Sequence, residues 1–159
     1  MRLLWLHIIN EEGCVKTQEK TMNRRLARET AFKLLFEKEF HKDRSGEELY
    51  STSKEAQGFE DDAYVRDVFF GVSEHAEEID GQIEKNSHGW KKSRISPVSL
   101  AIMRLSVYEM LYRKDIPLEV SINEALELVK AYDDEGARAF VNGILHAVSA
   151  AAKANRDEK

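Results

Sequence analysis

The sequence predicts an all-α fold, a compact helical bundle, on three observations. Only two prolines occur, Pro97 and Pro117, and each stands just before an apolar run with helical spacing. No stretch alternates apolar and polar β-branched residues as a half-buried strand does. Apolar residues recur instead at i, i+3, i+4 and i+7, the period that gives a helix one core-facing stripe. A length of 159 residues suits one domain with a substantial core and leaves no room for an appended catalytic module.

The first helix is expected from Arg24 to Phe40, where Ala27, Ala31, Leu34 and Leu35 form one stripe. Gly46 to Gly58 reads as a polar connector with a short helix around Glu47 to Ser53. Val65, Val68, Phe69, Val72, Ala76, Ile79 and Ile83 then mark a long helical segment, with a break expected near Gly71 or Gly81. Ser96 is a good N-cap and Pro97 fits the first helical position, where its missing N–H leaves no bond unmade. A helix to Arg113 is therefore expected, and because it is apolar nearly all round it should be central and buried. Leu118, Ile122, Ala125, Leu126, Val129 and Tyr132 mark the next helix, closed by the polar turn Asp133 to Gly136. Ala137, Val141, Ile144, Leu145, Val148 and Ala152 mark the last, and Lys153 onward reads as a solvated tail.

Residues 1–21 are read as a leader, non-native or disordered. Their charged and apolar start imitates a signal peptide, but His7 interrupts it and Glu11 and Glu12 follow without a small-residue cleavage site. The single cysteine, Cys14, excludes an intramolecular disulfide and a cysteine-based zinc site, and a reducing cytoplasm fits best.

The formal net charge of −5 argues against a generally basic nucleic-acid binder, but the charge is unevenly spread. Between Asn23 and Lys42 the bases Arg24, Arg25, Arg28, Lys33, Lys38 and Lys42 outnumber Glu29, Glu37 and Glu39. Between Glu47 and Asp80 only Lys54 and Arg66 stand against eleven acidic residues. If the two segments face different ways, the folded protein has one basic edge.

Arg24, Arg25 and Arg28 fall within a sector of roughly 100° on a helix. Guanidinium groups bind phosphate bidentately and stack on bases, so the cluster reads as a phosphate-contacting patch. The plainer alternative is a solvated helix end. Bases at a helix N-terminus oppose the macrodipole at about 0.3–1 kcal/mol each, however, so a purely structural role explains them poorly. Phe140 lies at the rim of the last apolar stripe, where it could stack on an unpaired base or simply edge the core. Asn142-Gly143 in mid-helix suggests close approach of another helix backbone, since glycine there costs about 1 kcal/mol relative to alanine. Arg104 and Glu109 are the only charges inside the central helix, and Arg104 is expected to pair with an acid such as Glu124. Trp90 reads as a plug between helical layers, and His75 with Glu78 as a surface pair.

For an enzyme the chain offers little. None of the five histidines follows a glutamate by three residues, and there is no Gly-rich phosphate loop, zinc spacing or Ser-His-Asp arrangement. No catalytic role, cofactor or metal is expected.

Three ordered segments carry a family likeness: Arg24-Arg25-Leu26-Ala27-Arg28-Glu29, Asn123-Glu124-Ala125-Leu126-Glu127-Leu128 and Phe140-Val141-Asn142-Gly143-Ile144-Leu145. From about Met22 to Ser149 the chain resembles the NusB family of bacterial transcription antitermination factors. The resemblance implies a single helical RNA-binding domain over residues 22–152, built as two packed helical subdomains in one globule. It also implies binding of the boxA element of ribosomal RNA operons together with the small-subunit ribosomal protein NusE, within the RNA polymerase antitermination complex. On this reading Arg24, Arg25, Arg28 and Phe140 contact RNA, while the acidic stretch from Glu60 to Asp80 complements the basic ribosomal protein. A homodimer is left open, and no membrane is involved. Leu26 stands where the family often has a further arginine. The alternatives are a helical protein–protein adaptor and an accessory to ribosomal RNA modification, neither recognising RNA by itself.

Overall fold

The computed structural model describes residues 22–89 and 94–157. The leader expected over residues 1–21 and the plug expected at Trp90 lie outside the described residues. Within them run seven helices and no strand: α1 (Arg24–Phe40), α2 (Gly46–Gln57), α3 (Ala63–Glu74), α4 (Ala76–Lys85), α5 (Pro97–Tyr112), α6 (Leu118–Tyr132) and α7 (Glu135–Asp157).

The starts of four helices follow from side-chain caps. Asn23, Ser45, Asp62 and Ser96 each lend an oxygen to a backbone N–H three residues on, satisfying a donor that the helix itself leaves orphaned. Pro97 occupies the first turn of α5, and Pro117 stands just before α6. Gly58 ends α2 in the left-handed conformation with φ of 67°, which a side chain would resist.

The segment from Val65 to Ile83 does break, but at His75 rather than at either glycine. His75 closes α3 and opens α4, and its ring stacks on Tyr112 at 4.1 Å. Tyr112 in turn bonds to Glu78, so the expected surface pair of His75 and Glu78 is joined through a tyrosine. Gly71 has a packing role instead: a Cβ there would overlap the ring of Tyr108 on α5. At Gly143 the expected close approach is absent, since a Cβ would meet nothing within 4 Å. The last helix also runs on to Asp157, past the expected end near Ala152. Arg156 holds that final turn by donating to the carbonyls of Met110 at 2.9 Å and Ile116 at 3.1 Å.

Helix α5 is the centre of the fold. It packs against α1, α3, α4, α6 and α7, and Ile102, Met103, Leu105 and Val107 are fully buried. One continuous core joins the α1–α3 side to the α6–α7 side through it. Arg104, at the edge of α5, does not pair with Glu124 as expected. It forms a two-pronged contact with Asp80 on α4 (2.8 and 2.9 Å) and a bond to Glu39 on α1 (2.9 Å), tying three helices together.

Candidate nucleic-acid interface

The first turn of α1 carries no acidic residue, and it points Arg24 and Arg25 outward. The Arg24 guanidinium lies over the Tyr64 ring, 4.4 Å from its centre. Arg113, at the end of α5, approaches the same ring at 5.5 Å but is already committed to Asp115 and Asp67 at 3.0 and 3.1 Å. Arg25 keeps 73% of its side chain exposed, with a single loose contact to Glu124 at 3.4 Å. Leu26 beside them is half exposed. Two exposed guanidiniums thus stand at one end of the molecule, Arg24 resting on a tyrosine ring and Arg25 held only by its long contact to Glu124.

Arg28 does not join them on the surface. Its side chain is 4% exposed and its Nε donates to Glu109 at 2.7 Å, with Glu109 fully buried in α5. The Tyr64 hydroxyl donates to the same Glu109 oxygen, and the Ser121 hydroxyl donates to the other at 2.7 Å. Burial, together with the adjoining Glu109 carboxylate, pushes the Tyr64 phenol far above its ordinary range. Although burial opposes the charged form, the hydrogen bond and charge of Glu109 hold the Arg28 guanidinium above its usual value. Four helices, α1, α3, α5 and α6, therefore meet on one carboxylate directly beneath the exposed arginines. Helical periodicity alone assigns Arg28 to the surface, because it shares a sector with Arg24. The counter-signal was Glu109, an acid in an apolar helix that needs a buried cation.

Phe140 sits on α7, half buried against the core. Between α1 and α6 runs a groove of about 210 Å3, bordered by Arg25, Glu124, Glu127, Leu128, Ala131 and Tyr132. A larger hollow of about 410 Å3 lies elsewhere, against the ends of α5 and α7. Among the described residues no cluster of three or more His, Cys, Asp or Glu side chains could hold a metal. None of the described helices is long and apolar enough to cross a membrane.

The NusB family model matches residues 25–150. The chain belongs to the NusB family. The transcription antitermination protein NusB of Acetivibrio thermocellus is 49% identical over 145 residues, covering 87% of this chain and all of that protein. Its counterpart from Ruminiclostridium cellulolyticum is 46% identical, over 80% of this chain and 89% of that one. Among solved structures, T. maritima NusB superposes with a TM-score of 0.72 at 34% identity, over 81% of this chain and 92% of that one. A chain from a crystal structure of the antitermination factors NusB and NusE in complex with dsRNA gives 0.72 at 31% identity, over 80% and 96%. The all-α NusB architecture and membership of a transcription antitermination family thus agree with what the sequence motifs imply.

Proposed function

We propose that this chain is a transcription antitermination factor that binds the boxA element of nascent ribosomal RNA leaders. It does so jointly with the ribosomal protein NusE, so that RNA polymerase keeps elongating through ribosomal operons. The observation that carries the reading is the pair of exposed guanidiniums, Arg24 and Arg25, on a helix start that holds no carboxylate. Unpaired by strong partners, they oppose the helix dipole, which favours a bound anion that would relieve it. Flexible single-stranded RNA supplies both phosphates for these groups and bases for a stacking ring, the role left to Phe140. Arg28 lies beneath them, its charge taken up by buried Glu109, and makes no phosphate contact of its own.

The protein partner is assigned to the opposite charge. Glu60, Asp61, Glu74, Glu77 and Glu78 are exposed around α3 and α4, and such a surface attracts and orients a basic ribosomal protein. The family relationship, and the NusB–NusE–dsRNA assembly among the structural neighbours, support both partners.

Electrophoretic retardation of boxA RNA, with and without NusE, tests the reading. Retardation by the chain alone and a stronger shift with NusE are expected. No shift in either case, with the chain folded, would leave a protein–protein adaptor in its place.

A further inference from the structure

We propose that the groove between α1 and α6 is a guanine-selective slot, in which the Glu124 carboxylate reads the Watson–Crick edge of one unpaired base. The inference rests on the RNA-binding reading above and adds a base identity to it.

The charge balance in the groove excludes the phosphate backbone as its occupant. Arg28 reaches it but is already neutralised by buried Glu109. Glu29 is occupied by Lys33 at 3.3 Å and by the Tyr132 hydroxyl. That leaves one guanidinium, Arg25, against two carboxylates, Glu124 and Glu127. A phosphate entering would meet net negative charge, whereas a neutral base edge with N–H donors would be welcomed.

Glu124 has acceptor capacity to spare. Its contacts to Arg25 at 3.4 Å and Arg28 at 4.0 Å are long beside the 2.7 Å of Arg28 to Glu109. Charge-assisted bonds shorten to about 2.7–2.9 Å when they are fully formed, so neither of its contacts saturates the carboxylate. An ionised carboxylate only accepts, through two oxygens side by side. Of the four RNA bases, guanine alone offers two neighbouring donors on its Watson–Crick edge, N1–H and the N2 amine. Adenine and cytosine set an acceptor beside their amine, and uracil flanks its single N–H with carbonyls. Those acceptors would face a carboxylate oxygen and repel it.

The remaining walls suit a planar ring. Leu128 and Ala131 give an apolar side, and Tyr132 is held in place by Phe32, 5.1 Å between ring centres, and by its bond to Glu29. At about 210 Å3 the groove is below the roughly 300–1,000 Å3 of pockets that enclose drug-sized ligands, which fits a single base.

Fluorescence anisotropy on the full chain tests this, with labelled uridine 12-mers carrying one central guanosine, inosine or adenosine. Inosine keeps N1–H and loses only the N2 amine. Wild type should bind the guanosine oligomer about tenfold more tightly than the inosine one, the loss of one bond to a charged group, and adenosine more weakly still. Glu124→Gln should erase the guanosine–inosine difference, read as the ratio of the two affinities within the variant, so that a general change in affinity from the lost charge cancels. Ala131→Phe, which fills the groove and leaves both arginine contacts in place, should erase it too, so the result does not depend on one variant folding well. Equal binding of all three oligomers by wild type overturns the slot alone. So does a Glu124→Gln variant that keeps the guanosine preference. If wild type binds no RNA with or without NusE, the preceding reading fails as well.

Discussion

Arg28 on α1 and Glu109 on α5 form a 2.7 Å ion pair with both side chains out of water, 4% and 0% exposed. The pair joins residues 81 positions apart, and Tyr64 and Ser121 complete the shell around the carboxylate. Removing one partner would strand a buried charge. Arg28→Gln is expected to lower stability by about 3–5 kcal/mol, read as a fall in the urea midpoint. Glu109→Gln should fall in the same range. An Arg28→Gln midpoint equal to wild type would mean that the pair is open to water in solution.

The central helix gives a second expectation. Ile102 and Leu105 are both fully buried in α5. Truncating either to alanine leaves a cavity among tightly packed neighbours, at about 2–5 kcal/mol. Thermal melts of the two variants unchanged from wild type would contradict the placement of α5.

Two glycines should respond in opposite directions. Gly71→Ala drives a methyl group into the Tyr108 ring and forces α3 away from α5, an overpacking effect of about 1–3 kcal/mol that outweighs the gain in helix propensity. Gly143→Ala meets open space on an exposed helix surface, so only propensity acts and stability should rise by up to about 1 kcal/mol. Urea titration of both variants checks the signs.

Acid should loosen the fold through particular carboxylates. Against the burial that would raise it, hydrogen bonds from Arg104 and Lys42 hold Glu39 below its ordinary value of 4.5. Burial likewise opposes, and bonds from Ser99, the Asp134 N–H and Ser96 outweigh it, to hold Asp133 below 3.8. Folded values below unfolded ones give stability that is present above the unfolded values and is lost as pH falls through the folded ones. The melting temperature should therefore respond little to these two groups between pH 7 and 5 and drop below about pH 4. Arg104→Gln should lower it at pH 7 and narrow the gap between pH 7 and pH 3. An unchanged gap would remove Glu39 from the account.

What the sequence discloses follows the physics of each element. Helix α5 was legible because a helix apolar on every side can only be central, and Ser96 with Pro97 announces its start. The basic end was legible as charge, since Arg24 and Arg25 sit outside the apolar stripe. Periodicity tells which face a residue shares but not what lies across from it. Periodicity therefore groups Arg28 with its sector mates, offers Glu124 to Arg104 in place of Asp80 and Glu39, and points to a close helix approach at Gly143 instead of Gly71. Each of those depends on pairing between helices distant in the chain. The base-sized groove belongs to the same class, because α1 and α6 come together only in the fold.

The salt dependence of RNA binding tests the central claim most directly. If Arg24 and Arg25 each neutralise one phosphate, the variant R24Q/R25Q loses two counterion-releasing contacts, worth about 0.7 each in the slope of log affinity against log salt for a single strand. The slope should flatten by about 1.4, with affinity falling for boxA and scrambled RNA alike, since phosphate contacts position a strand without reading it. Arg28→Gln, by contrast, should leave the slope at its wild-type value wherever the protein remains folded. Wild-type affinity and slope in the double variant, or a flattened slope in Arg28→Gln alone, would contradict the account.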